Sequence, residues 1–135
     1  MNLALAVNPW AVLAAAVLTF VIGGIWYSAL FERPWRGLIG VSEAQFAASS
    51  PLRIFGLSFV AALIMSLNLA LFLSAPNVDV VFGATAGLLA GAGWIAAAMA
   101  TTYLFERRPM RLWLIDASYH VVALTAMGAL LGAWR

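Results

Sequence analysis

The sequence predicts an all-α integral membrane protein, a four-helix bundle with short loops, and three observations carry that prediction. Of 135 residues, 65% are hydrophobic and 9% are charged, whereas a soluble domain is about 45–50% apolar and about 25% charged. The mean hydropathy is +1.01. Apolar runs at about 8–30, 52–74, 80–105 and 110–134 each reach the roughly 20 residues that cross a bilayer as a helix. Together they fill the chain, so residues 1–135 form a single transmembrane domain. A disordered segment would need the opposite compositional bias.

The first run starts at Asn8-Pro9, with Asn as N-cap and Pro at the first helical position. Residues 1–8 carry no Lys or Arg, and a cleaved signal peptide would place positive charge there, so this run reads as a retained span. The second run follows Ser50-Pro51, another cap-plus-proline start, and stops at Ala75-Pro76-Asn77, a turn signal. The third begins near Val80 with Asn77 or Asp79 available as cap, and the fourth is opened by Pro109. Loop 1, residues 31–51, contains Ser42-Glu43-Ala44-Gln45. That is the spacing of a capping box, and it predicts a short helix at about 42–49. Val41 and Phe46 can seat this helix at the interface, or the segment is a solvated connector with one helical turn.

All basic residues are arginines, and their placement orients the chain. Arg33, Arg36 and Arg53 flank loop 1, and Arg107, Arg108 and Arg111 flank loop 3, leaving only Arg135 for the opposite side. By the positive-inside rule, loops 31–51 and 105–111 face the cytoplasm and both termini face outward, as expected of a bacterial inner-membrane protein. The tryptophans mostly mark span ends as aromatic belts do; Trp94, deep in the third span, is the exception. Arginines at span ends, without a basic water-facing surface, exclude nucleic acid as a partner. With no cysteine there is no disulfide framework, thiolate metal site or cysteine nucleophile.

Small residues recur every fourth position: Ser58, Ala62, Ser66, Ala70 and Ser74 on the second span, Gly83, Gly87 and Gly91 on the third, and Gly128 and Gly132 on the fourth. In lipid, helices associate through close backbone approach, so these stripes mark packing faces within the bundle or between subunits. A homo-oligomer is expected from them and from the short chain. The exits of spans one and three, Leu30-Phe31-Glu32-Arg33-Pro34-Trp35-Arg36 and Leu104-Phe105-Glu106-Arg107-Arg108-Pro109-Met110-Arg111, resemble each other. They arise either from parallel duplication or from a shared need for an acidic-basic exit signal.

Asp116 and His120 carry the most chemistry. Four residues apart on the fourth span, they share a helix face. At about 1.5 Å per residue from Leu112, they lie roughly 6 and 12 Å inside the boundary. A carboxylate at such depth should face protein or water. Tyr27, Ser28, Thr101, Thr102 and Tyr103 end their spans at matching depth and Tyr119 adjoins them, so together they predict a polar pocket open to the cytoplasm. In one account Asp116 pairs with His120, Arg53 or Arg111 and pins helices together. In the other, Asp116 sets the charge of the only histidine, and the pair binds a cation or relays a proton. Asn68 reads as an interhelical hydrogen-bond donor, and Glu32 and Glu106 as partners of neighbouring arginines.

Enzyme templates fit poorly. A Ser-His-Asp site would need Ser28 or Ser58 beside His120, and no nucleophile signature surrounds either. One histidine without cysteine supplies no ordinary zinc site, and a phosphate loop with lysine is absent. Neither metal nor cofactor is expected.

Trp26-Tyr27-Ser28, Leu104-Phe105-Glu106 and Trp113-Leu114-Ile115-Asp116-Ala117-Ser118-Tyr119-His120 carry a resemblance. They are similar to a bacterial membrane family known as domain of unknown function 1761. Its pattern has Val-Asn before a span closing in Trp-Tyr-Ser-Pro, an aromatic Leu-Phe-Glu exit before the last span, and a His near that span's centre. Val7-Asn8, Trp26-Tyr27-Ser28 and Tyr119-His120 match over nearly the whole chain, with Ala29 standing where the pattern has Pro. The resemblance implies four spans and no particular activity. The sequence therefore leaves three functions in play. One handles a proton, ion or small solute from the cytoplasmic side, one is an accessory protein packing against lipids or other membrane proteins, and one is a membrane-embedded hydrolase.

Overall fold

A computed structural model describes residues 7–135. Caps start the helices where side-chain chemistry demands. Asn8 Oδ1 accepts from the backbone N–H groups of Trp10 and Ala11 at 3.0 and 3.4 Å, opening α1 (Pro9–Gly24). The chain continues through a π-helical turn, Ile25–Leu30. Ser50 Oγ accepts from Arg53 N–H at 3.3 Å and opens α4 (Pro51–Phe72). Asp79 accepts from Phe82 N–H at 2.8 Å and opens α5 (Val80–Ala90). A second π turn, Gly91–Ala96, joins α5 to α6 (Ala97–Phe105), and α7 (Met110–Ala133) follows Pro109. Four helical stretches are long and apolar enough to cross a membrane: Pro9–Leu30, Pro51–Phe72, Val80–Phe105 and Met110–Ala133.

Loop 1 is more ordered than its sequence suggests. The capping box forms as expected: Ser42 Oγ accepts from Gln45 N–H at 3.1 Å while Gln45 Oε1 accepts from Ser42 N–H at 2.8 Å, opening α3 (Glu43–Ala48). Before it, where the sequence predicts only connecting loop, lies a second helix, α2 (Glu32–Ile39), ended by Gly40 in the left-handed region at φ 70°. Its signals were present. Trp35, Leu38 and Ile39 share one face at i, i+3, i+4, and Arg36 pairs with Glu32 one turn away at 3.6 Å. Arg36 also lies 4.9 Å over the Phe46 ring, tying α2 to α3.

The spans assemble around α7, which packs along α5, against α1, and more lightly against α4. The reason for the α5–α7 intimacy is glycine. A Cβ on Gly83 would overlap the Gly128 carbonyl, one on Gly87 would overlap the Leu124 carbonyl, and one on Gly132 would overlap the Asp79 carbonyl. The backbones of the two helices are therefore in direct contact, the arrangement that replaces hydrophobic driving force in lipid. Gly91 continues this seam, 2.9 Å from Val121 Cα had it a Cβ. The stripe on α4 holds in part. Ala62, Ser66 and Ala70 are buried, and Ser66 Oγ donates to the Val12 carbonyl of α1 at 2.8 Å. Ser58 departs from expectation: it is exposed, although the adjacent Phe59 packs edge-on against Phe20 of α1 at 5.5 Å.

Away from loop 1 the core is apolar, built from Ala11, Ala15, Leu69, Ala70, Leu73, Leu124, Met127 and Leu131. Arg135 closes that end, its guanidinium donating to the Leu73 and Ala75 carbonyls beyond α4. The other arginines gather at the opposite end. The matched span exits adopt different structures: Glu32 begins a helix, whereas Glu106–Pro109 forms a tight turn with Arg107 at φ 57°. A twofold relation would also set α4 on α5 as α1 sits on α7, and no comparable contact is made. A shared exit signal explains the match better than duplicated architecture does.

Candidate functional site

At the arginine-bearing end, α7 presents Asp116 to the bundle interior, 8% exposed. Tyr27, on the π turn of the first span, donates its hydroxyl to Asp116 Oδ1 at 2.7 Å. Tyr103, on α6, donates to Oδ2 at 2.5 Å. Both distances fall in the range of charge-assisted O–H···O⁻ bonds. The two phenols replace the water a carboxylate loses in a membrane interior, and they tie three spans to one side chain.

The surrounding groups are also anchored. Trp26 Nε1 donates to the Ile115 carbonyl at 3.0 Å, next to Asp116 in sequence. Adjacent residues on an α-helix point about 100° apart. Both Trp26 and Tyr27 lie on the π turn and reach α7 from it, and such turns are frequent at functional sites. Across the site, Trp113 Nε1 donates to the Ala96 carbonyl at 2.9 Å, at the end of the second π turn. Tyr119 donates to the Thr19 carbonyl at 3.1 Å. Its ring lies over Gly23, where a Cβ would come within 3.2 Å of the hydroxyl. Tyr27 packs edge-on against Tyr119 at 5.4 Å and, tilted, against Trp35 of α2 at 5.0 Å, so loop 1 covers the site from outside.

The predicted partners of Asp116 are corrected by this geometry. His120 makes neither a hydrogen bond nor an ion pair with it, and neither Arg53 nor Arg111 reaches it. Among the described residues the ion pairs are Arg36–Glu32 and Arg108–Glu106, both at 3.6 Å. The tyrosines satisfy the carboxylate first. His120 lies one turn deeper, its ring 4.9 Å from that of Tyr119. Its Nδ1 is buried with no hydrogen-bond partner.

Of the eight residues predicted to form a pocket, Asp116, Tyr27, Tyr103, Tyr119 and His120 come together. Ser28, Thr101 and Thr102 do not. They are exposed, and their hydroxyls donate to the carbonyls of Gly24, Ala97 and Ala98 in their own helices. Depth along a span was legible in the sequence, but the face was not. Asn68 is corrected too: it is exposed on α4, and its amide donates to Ile64 of its own helix at 3.0 Å. Neither Ser28 nor Ser58 bonds to His120, so the Ser-His pairing that a hydrolase would need is not formed by either. Trp26 and Trp113, near span ends as belt residues are, also serve as hydrogen-bond struts of the site. Trp94, the exception in depth, is 80% exposed on the outer surface. No group of three His, Cys, Asp or Glu residues gathers to hold a metal among the described residues.

Comparison with known proteins adds a family. A family model described as "Protein of unknown function (DUF1761)" matches residues 10–132. No curated protein and no solved structure matches the chain. The chain belongs to the DUF1761 family.

Proposed function

We propose that this DUF1761 protein takes up a proton, ion or small solute at the Asp116–Tyr27–Tyr103 cluster. In this reading it sits in the bacterial inner membrane with both termini outside, and loops 31–51 and 105–111 are cytoplasmic. The cluster then lies at the cytoplasmic end of the bundle, beneath loop 1. Arginine placement supports the orientation. The observation that carries the function is a buried carboxylate in a span, held by phenols from two other spans, with an unpartnered His120 Nδ1 one turn deeper. Intramembrane ionisable groups are costly and commonly mark ion or proton sites. A phenol–carboxylate chain can exchange protons along its hydrogen bonds, and an imidazole with an open nitrogen can accept one. Past His120, α7 turns Ala123, Leu124, Met127 and Leu131 to an apolar core. Uptake is therefore proposed from one side only, without a polar route through a single copy.

A specific observation also favours the accessory reading: both Asp116 oxygens are already occupied, and the bonds join three spans. Infrared difference spectroscopy separates the two. Acidifying the purified protein should raise a protonated-carboxyl band that is missing in Asp116→Asn. In proteoliposomes any proton or cation flux should vanish in Asp116→Asn and His120→Ala, with helical content retained. A stability loss in those variants with neither band nor flux in the wild type would leave the cluster a structural clamp.

Homo-oligomerisation is part of the proposal. Exposed Asn68 leaves amide groups facing acyl chains, which a second copy or another membrane protein would satisfy. Crosslinking in native membranes should trap dimers or higher species, and only monomer would refute it.

A further inference from the structure

The glycine seam has a geometric consequence at the other end of the same helix pair. Held backbone to backbone from Gly132 to Gly91, the third and fourth spans separate beyond the second π turn, where α6 touches α7 far more sparsely. Trp113 bridges the widening gap with its hydrogen bond to Ala96. Outside that bridge lies a depression of about 60 Å³ lined by Ala100, Tyr103, Leu104, Arg108, Met110 and Trp113. Its walls are apolar apart from the tyrosine, and a guanidinium stands among them. Arg108 lies 4.8 Å over the Tyr103 ring, and its pairing with Glu106 is solvent-exposed on both sides. The turn at Pro109 sets this opening where spans three and four leave the membrane.

We propose that this wedge binds an anionic phospholipid of the adjoining leaflet. The headgroup phosphate is held by Arg108 and an acyl chain lies along Ala100, Leu104, Met110 and Trp113. Basic pockets between spans at the headgroup level have this chemistry. The exposed Glu106 pairing is easily exchanged for a phosphate, which accepts from a guanidinium in bidentate fashion. A soluble phosphate would use the arginine and leave the apolar walls wet, whereas a lipid uses both. Since Arg108 covers Tyr103, whose hydroxyl donates to Asp116, an occupied wedge also seals the Asp116 cluster on that side. The proposal requires membrane insertion and does not depend on Asp116 binding a proton.

Native mass spectrometry of the full-length protein with an equimolar mixture of phosphatidylglycerol and phosphatidylcholine tests it. One phosphatidylglycerol per chain should be retained about fivefold over phosphatidylcholine, the preference one arginine gives near an anionic surface. Arg108→Gln should abolish the preference, and Ala100→Leu, which fills the wedge without touching charge, should reduce retention of both lipids. Arg33→Gln on α2 should keep the wild-type pattern. Equal retention of the two lipids by the wild type, or an unchanged preference in Arg108→Gln, overturns the proposal. So does displacement of the lipid by millimolar inorganic phosphate, which would make this a soluble-anion site.

Discussion

Replacing Gly87 with alanine tests the packing that positions the site. A Cβ there would overlap the Leu124 carbonyl oxygen, lie 2.7 Å from its carbon, and lie 3.0 Å from Thr125 Cα. Carbon atoms pack best at about 3.5–4.0 Å, so the methyl stands about 0.8–1.3 Å too close to the Leu124 carbonyl carbon, which has no rotamer to yield. Relief requires α5 and α7 to move apart along a seam that Gly83, Gly128 and Gly132 share. Overpacking typically costs about 1–3 kcal/mol, and the upper end, about 3 kcal/mol, applies because every obstacle is main chain. Gly56→Ala is the matched control: it adds the same methyl on α4, where nothing lies within 4 Å. It should be neutral or stabilise by up to about 1 kcal/mol through helix propensity. Reversible unfolding by SDS titration or steric trapping in bilayer discs measures both. If Gly87→Ala and Gly56→Ala unfold at the same point, α5 and α7 are not in backbone contact, and the account of the bundle fails.

Other outcomes follow from the same geometry. Asp116→Ala strips both phenols of their acceptor and should destabilise by about 2–4 kcal/mol, since hydrogen bonds to charged groups contribute about 1.5–3 kcal/mol each and are not additive. Asp116→Asn keeps one carbonyl acceptor and should cost less; equal losses in the two variants would refute the phenol–carboxylate pairing. A double-mutant cycle between Tyr27→Phe and Tyr103→Phe should show coupling of at least about 0.5 kcal/mol, because both act on one carboxylate; strict additivity would argue against a shared partner. Ser66→Ala should cost about 0.6 kcal/mol, the usual value of an interhelical bond in lipid, while Ser58→Ala should leave unfolding unchanged, although both belong to one sequence stripe.

Alignment to the wrong face explains where sequence reasoning fell short. Ser28, Thr101 and Thr102 have the correct depth, yet in a chain this apolar a hydroxyl can satisfy itself on the preceding turn and face lipid. Hydrophobic periodicity, which sorts faces in soluble helices, is nearly flat when both the core and the solvent are hydrocarbon. The same flatness hid which side of α4 carries Asn68.

Composition and run length by themselves determined four spans, because a bilayer core demands about 20 apolar residues and internally satisfied backbone. Caps at Asn8 and Ser50 and the box at Ser42–Gln45 were equally local, since each concerns N–H groups within one turn, and the structure chose Asp79 over Asn77 as the third cap. The glycines at positions 83, 87, 91, 128 and 132 announced close approach. Only the tertiary structure decided that α5 and α7 were the pair, that two π turns rotate Trp26, Tyr27 and Ala96 towards α7, and that tyrosines rather than histidine or arginine hold Asp116. Those outcomes depend on which faces meet across 13 to 89 residues of chain. Contacts at that range are set by packing of whole helices, which no local residue pattern encodes.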